Sequence, residues 1–186
     1  PEKLAAMRII STVIPVSYTA APMLVPMFAF AMIDLSIRYG NAHASTFGYA
    51  SYGLILCGAV GDIDTGYQFG QLAINLLNRL NAKEFKARTY FYVYLFITHW
   101  KYHLNESLAP LLEGYRIGLE TGDIANSTLG AMQYCVHAYV AGKNLTGLVE
   151  EMDKFSQTMR QLKQDFVLLF NELFRYAAKS WIETVG

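Results

Sequence analysis

The residues best placed to do chemistry are two histidines. His99 and His103, in the string HWKYH, stand four apart, so on a helix both rings would share one face. That spacing can hold a single metal ion. A third ligand is not evident: Glu106 lies just beyond, but there is no HExxH and no cysteine nearby. Two histidines bonding across a bundle, or facing water, account for the pair with fewer assumptions. The acidic pairs Asp62/Asp64 and Glu150/Glu151 fall at or near helix starts, where carboxylates stabilise the helix dipole. Capping therefore explains them without acid–base work. Lys83, Lys86 and Arg88 cluster near a helix start and read as a solvated face. A dense aromatic series follows: Tyr90, Phe91, Tyr92, Tyr94, Phe96, Trp100 and Tyr102. At helical spacing, with little positive charge nearby, it reads as core rather than as a base-stacking platform. The chain contains no GxxxxGK[ST] or GxGxxG loop and no Ser/His/Asp or Cys/His set at a recognisable spacing. It reads as non-catalytic, with no cofactor. A pocket lined by Tyr90, Tyr94, Trp100, His99 and His103 is the alternative, and would make the chain a small-molecule sensor.

Helices must position these residues. No run alternates with period two, and apolar residues recur at helical intervals throughout. A first helix spans 2–17 and ends near Pro15; a second spans 22–39, with Pro22 at its start and Gly40 at its end. A third covers 44–60. The fourth is capped by Asp62 and turns Ile63, Tyr67, Gly70, Ile74 and Leu77 inward. The fifth runs from 83 to 103. The sixth, 107–121, has Ser107 as N-cap and a buried stripe of Leu108, Leu111, Leu112, Tyr115 and Leu119. The seventh, 124–141, is capped by Asp123 and closed by Gly142; the eighth starts near Asn144; a ninth, 166–184, follows a bend near Asp165.

These helices repeat. TGYQFGQLAINLLNRLNA (65–82) lies over ESLAPLLEGYRIGLETGD (106–123) at an offset of 41, with apolar positions largely matched. A period near 40 residues with two helices each is the spacing of helical-hairpin arrays. The first helix of each pair is nearly uncharged and the second amphipathic, as expected for a sandwiched layer and an outer layer. The expected fold is all-α: a right-handed, tetratricopeptide-like solenoid of antiparallel hairpins with eight or nine helices. It forms one domain over 1–186, with hairpins at 2–40, 44–81, 83–121 and 124–165 and a final helix at 166–184. Glycine inside a helix costs about 1 kcal/mol against alanine, so Gly53, Gly58, Gly66 and Gly70 are expected where helices approach closely.

Fifteen basic residues balance fifteen acidic ones, which argues against a dedicated nucleic-acid binder. Cys57 and Cys135 lie in apolar patterns and read as buried thiols in a reducing, cytoplasmic setting. The uncharged runs 9–33, 39–61 and 124–142 are long enough to cross a bilayer. Asn, Ser, Thr, Gln and His interrupt them, which weakens a polytopic membrane reading. The chain opens on Pro1 without a basic-then-apolar leader, and reads as a fragment of something longer. Sequons at Asn105, Asn126 and Asn144 read as polar loops or helix starts.

The string YGNAHASTFGYASYGLILCGAVGDIDTGYQFGQLAINLL (39–77) resembles the helical middle region of very large bacterial signalling kinases, which have relatives in fungi. PEKLAAMRII, HWKYHLNESLAPLLEGYRIGLETGDIANS (99–127), YCVHAYVAGKNL (134–145) and QLKQD (161–165) are similar to other parts of that region. The resemblance runs from Pro1 to about Asp165 and weakens over 166–186. Such proteins join a serine/threonine kinase, an AAA-type ATPase, a long helical-repeat region, a GAF sensor and a histidine kinase. The resemblance implies a cytoplasmic scaffold or regulatory segment in signal transduction. Its partners would be other domains of the same chain or other proteins. No catalytic residue carries over, and His99 does not match a phospho-acceptor helix.

Overall fold

The computed structural model describes residues 1–185, and among these the chain folds into nine α-helices with no strand. They are α1 (Glu2–Ala20), α2 (Val25–Tyr39), α3 (Ser45–Ile55), α4 (Ile63–Leu80), α5 (Lys86–Phe96), α6 (Asn105–Thr121), α7 (Ile124–Val140), α8 (Leu145–Gln161) and α9 (Asp165–Val185). Short 3-10 turns at Pro22–Leu24, Lys83–Phe85 and Thr98–Trp100 join helices, and a π-helical turn, Leu56–Val60, continues α3.

Local chemistry sets most of the boundaries. The Asp62 carboxylate accepts the Thr65 N–H at 3.1 Å, and the Asn144 side chain accepts the Gly147 N–H at 3.1 Å. Gly61 and Gly122 both hold φ +82°, a left-handed conformation that stops a helix at little steric cost to glycine. Two expected ends move and one expected cap bond is missing. Helix α1 runs through Pro15 to Ala20, because a proline there forfeits only the bond to the Ser11 carbonyl. The turn beyond it buries Ser17 and rests Tyr18 on Phe96, ring centroids 5.9 Å apart. Ser107 is not an N-cap: α6 begins at Asn105, whose N–H is accepted by His103 Nδ1 at 3.2 Å. Asp123 precedes α7 but caps nothing with its side chain, which instead accepts from Arg88 and Asn126.

The largest change is in the fifth helix, which stops at Phe96 rather than 103. Ile97 departs from helical geometry (φ −119°, ψ −50°), and Thr98 Oγ1 bonds the Val93 carbonyl at 3.1 Å. The fully buried Ile97 side chain then fits against Gly53 and Gly70. His99 and His103 consequently do not share a helix face.

Packing follows two layers. Helices α1, α3, α5, α7 and α9 contact one another in succession, while α2, α4, α6 and α8 each pack between consecutive members of that series. From α3 onward the series starts at residues 45, 86, 124 and 165, spacings of 41, 38 and 41. Helices α3 and α7 bury residues around most of their circumference, whereas α4, α6 and α8 bury one stripe. The hydroxyls that interrupt the uncharged runs are satisfied inside: Ser36 meets Ser45 at 2.8 Å, Thr46 meets Thr89 at 3.3 Å, and Ser127 donates to the Tyr115 carbonyl at 2.7 Å. Among the described residues one segment, Pro22–Tyr39, is long and apolar enough to cross a membrane by length and composition. In the second half of the chain the most extensive contacts are α6 with α7 and α8 with α9. Divisions at 121/124 and at 165 therefore cut between closely packed helices.

The buried stripe of α4 is Gly66, Gly70, Ala73, Leu76 and Leu77, rotated from the expected face; Ile63, Tyr67 and Ile74 border it. In α6 the buried set is Ser107, Leu111, Gly114 and Gly118, with the larger leucines beside it. A Cβ on Gly53 would lie 2.8 Å from the Gly66 carbonyl oxygen, and one on Gly118 would lie 2.6 Å from the Ser127 Cβ. These contacts need glycine. Gly58 does not: it is exposed in the π turn, with nothing within 4 Å of an added Cβ. Gly53→Ala is expected to lower stability by about 1–3 kcal/mol through overpacking, and Gly58→Ala to leave it unchanged or raise it by up to about 1 kcal/mol. Urea midpoints at constant m-value measure both.

Candidate functional site

The aromatic and histidine candidates do not gather into one pocket. Tyr90 is buried against Leu77 and Ala82 and packs edge-on to Tyr94 at 5.4 Å. Tyr94 faces a polar cavity of about 340 Å³ with Tyr67, Gln71, Thr98, Tyr102 and Glu106. Burial and the neighbouring Tyr90 push its hydroxyl up to about 12, so it stays protonated and holds no charge at neutral pH. His103 caps α6. His99 and Trp100 line a different cleft at the far side of α5. Among the described residues no three of His, Cys, Asp and Glu come together as metal ligands.

The basic cluster is split by pairing rather than presented to solvent. Lys86 Nζ reaches Glu113 at 2.6 Å and lies 4.9 Å from the Tyr90 ring centroid. Arg88 bonds Asp123 at 3.2 Å and covers the Phe85 ring at 5.2 Å. Both side chains are mostly buried, contrary to a solvated face, and tie α5 to α6 and to the start of α7. Lys83 alone stays exposed. The acidic pairs also divide. Asp62 caps α4 while Asp64 pairs with Lys101 at 2.5 Å, and Glu151 joins Lys143 and Tyr134 in a closed network between α7 and α8. Both thiols are buried, and burial raises their pKa values, which removes nucleophilic thiolate at neutral pH.

One arrangement escaped the spacing argument. Ser107 Oγ stands 2.6 Å from His137 Nδ1, a serine–histidine contact between α6 and α7 that thirty residues of sequence separate. The same hydroxyl donates to the Leu104 carbonyl at 2.5 Å, so it accepts from the ring N–H, which fixes the neutral tautomer with its proton on Nδ1. Both residues are buried, at 1% and 5% exposure. A serine whose proton is committed to a carbonyl, against a histidine that donates to it, is not an activated nucleophile. The contact is a structural clamp. Ser107 at the third position of α6 and His137 in the last turn of α7 were visible, but nothing in one sequence pairs them.

An apolar cleft of about 390 Å³ lies where α1 ends, α2 begins and the π turn leaves α3. Pro22, Val25 and Pro26 form one wall, and Leu54, Ile55, Gly58 and Ala59 another. Tyr18, Phe96, His99 and Trp100 complete it. Trp100 Nε1 donates to the Phe96 carbonyl at 3.1 Å, which fixes the indole, and His99 leans on it at 5.2 Å. The sequence singled out His99 and Trp100 but missed Tyr18 and the two prolines; Pro22 and Pro26 flanking one turn were the available signal. No protein family, curated protein or solved structure matches this chain.

Burial, with a smaller contribution from His99, lowers the His137 pKa to about 4 from 6.5. The unfolded chain then binds a proton between those values that the folded chain refuses. Stability is full above pH 6.5 and falls as pH drops toward 4, by about 3 kcal/mol at most for this group. His137→Gln is expected to flatten that part of the profile. Thermal melts from pH 7 to 4 on both chains measure the difference.

Proposed function

We propose that the chain is a non-catalytic scaffold: a right-handed, tetratricopeptide-like solenoid of antiparallel hairpins serving a multi-domain signalling kinase in the cytoplasm. The observation that carries the reading is the succession of α1, α3, α5, α7 and α9, flanked by helices that pack chiefly against their neighbours. A stack of that kind grows by adding pairs and leaves an unmatched face at each end. Both ends carry such faces. Met27, Phe30 and Ile37 stand exposed along α2, with Met23 in the turn before it, and Phe166, Leu169, Leu173 and Tyr176 along α9. The accessible surface of 9803 Å² exceeds the roughly 9,000 Å² of a compact monomer of this mass, as an elongated array would.

The kinase context rests on the resemblance alone. The apolar end faces suit other domains of the parent chain or protein partners. Exposed aromatic residues on them, Phe166 and Tyr176 among others, are the type that anchors protein contacts.

Two measurements test this. Small-angle scattering of the isolated chain should give a radius of gyration above the approximately 16 Å of a compact fold of this length. Separately expressed kinase, ATPase, GAF and histidine-kinase domains from the parent reading frame should include one that the helical chain retains on a column. Leu173→Lys or Met27→Lys should weaken that retention by about tenfold or more. A compact radius removes the solenoid, and a parent frame encoding none of these domains removes the signalling context.

A further inference from the structure

The cleft between α1, α2 and the π turn has features that a scaffold does not require. Its volume of about 390 Å³ falls inside the range of roughly 300–1,000 Å³ typical of small-molecule sites. Its walls are aliphatic and aromatic, and no Asp, Glu, Lys or Arg lines it. One wall is a π-helical turn, a rare irregularity found frequently at functional sites. That turn carries Gly58, whose missing side chain leaves open space rather than accommodating a neighbouring helix.

Polar groups in the cleft divide into used and unused. The Trp100 N–H is spent on the Phe96 carbonyl. The Tyr18 hydroxyl and the His99 ring have no hydrogen-bond partner among the described residues, although both border the cleft. Both side chains are exposed to water, so the polar edge of a ligand would take the place of water at either group. A charged ligand would lose hydration with no counter-ion to replace it. The aromatic surfaces are already held: Trp100 by its hydrogen bond, Tyr18 by its contact with Phe96. A site whose aromatic walls are fixed before binding loses less entropy when it is filled.

We propose that this cleft binds a neutral, flat aromatic small molecule with one polar edge, of indole or naphthol size. The ring system lies against the apolar walls and the polar edge meets His99 and Tyr18. This goes beyond the scaffold reading and does not depend on it. A peptide side chain or a membrane would be a different occupant; the limited volume of about 390 Å³ favours the small molecule over an extended partner.

Ligand-observed saturation-transfer NMR on the full chain tests the proposal with 2-naphthol and indole as probes. Naphthalene serves as the apolar control, and 2-naphthoate and naphthylmethylammonium as charged controls. Saturable binding of both neutral polar-edged probes is expected, with the charged compounds weaker by about tenfold or more. Gly58→Leu, which grows a side chain into the cleft, should abolish binding while melting stays level or rises. Ala59→Leu provides the same block should that variant fail to fold. His99→Leu should weaken 2-naphthol several-fold more than naphthalene. The proposal falls if neither neutral probe binds the folded chain, if binding survives both blocking variants, or if charged probes bind equally well. It also falls if vesicle or peptide binding is lost in Gly58→Leu while no naphthol binding is seen in the parent chain.

Discussion

The close approach of α3 to α4 is the contact from which much of the surrounding geometry follows. Gly53 faces the backbone of Gly66 and Gly70, where a single methyl group would overlap a carbonyl oxygen. Two backbones this near leave a gap at the edge of the contact, and Ile97 fills it. Helix α5 stops at Phe96, immediately before this isoleucine, which leaves helical geometry. The Thr98–Trp100 turn follows from that stop, held by the Thr98 bond to the Val93 carbonyl. The turn in turn sets Trp100 and His99 beside α1 and α2 and sends the chain toward α6. A packing requirement between two helices thus decides where a third one ends and what lines the cleft.

Features written in local chemistry were legible in the sequence; features that depend on a distant neighbour were not. Asp62 and Asn144 cap their helices because a short acceptor before a helical run needs no tertiary help. The uncharged character of α3 and α7 announced burial on several sides, since a helix facing water on one side carries polar residues there. The end of α5 was hidden, because KARTYFYVYLFITHWKYH has helical periodicity throughout and Ile97 is diverted by glycines 27 and 44 residues away. Gly53 and Gly58 were both expected at close helix approaches, but five residues turn a helix face through about 140°, so with Gly53 against α4, Gly58 points away and stays exposed.

The polar residues of the interior show why candidate chemistry dissolves on inspection of the geometry. Uncharged helices packed on several sides must still satisfy every buried hydroxyl and ring nitrogen. The chain does this by short bonds between layers: Ser36 with Ser45, Thr46 with Thr89, Ser107 with His137, Asn171 with Ser156. Each bond spends the donor that catalysis would need. Asn171 Oδ1 is the exception, a buried acceptor with no partner between α8 and α9. Its amide donates to the Met152 carbonyl and to Ser156, so the residue fixes how the last helix registers on its neighbour while leaving one acceptor unsatisfied, at a cost of about 1–3 kcal/mol.

That register matters because the ends of the array differ from its middle. Helices α3, α5 and α7 have members of the same layer on both sides, and most of the large buried side chains belong to them or face them. Helix α9 has such a neighbour on one side only, and α1 likewise. Each exposed leucine or phenylalanine on α9 forgoes about 1.5–3 kcal/mol of burial that the same residue gains in the middle. Hydrogen bonds inside α9 do not replace it, since most helical stability in proteins comes from packing an amphipathic face. The docking of α9 therefore depends on the α8 interface and on the Glu172–Arg175–Asp153 cluster that crosses it, and the stability of the fold is greatest where glycine, isoleucine and the buried hydroxyls bring α3, α4 and α5 together.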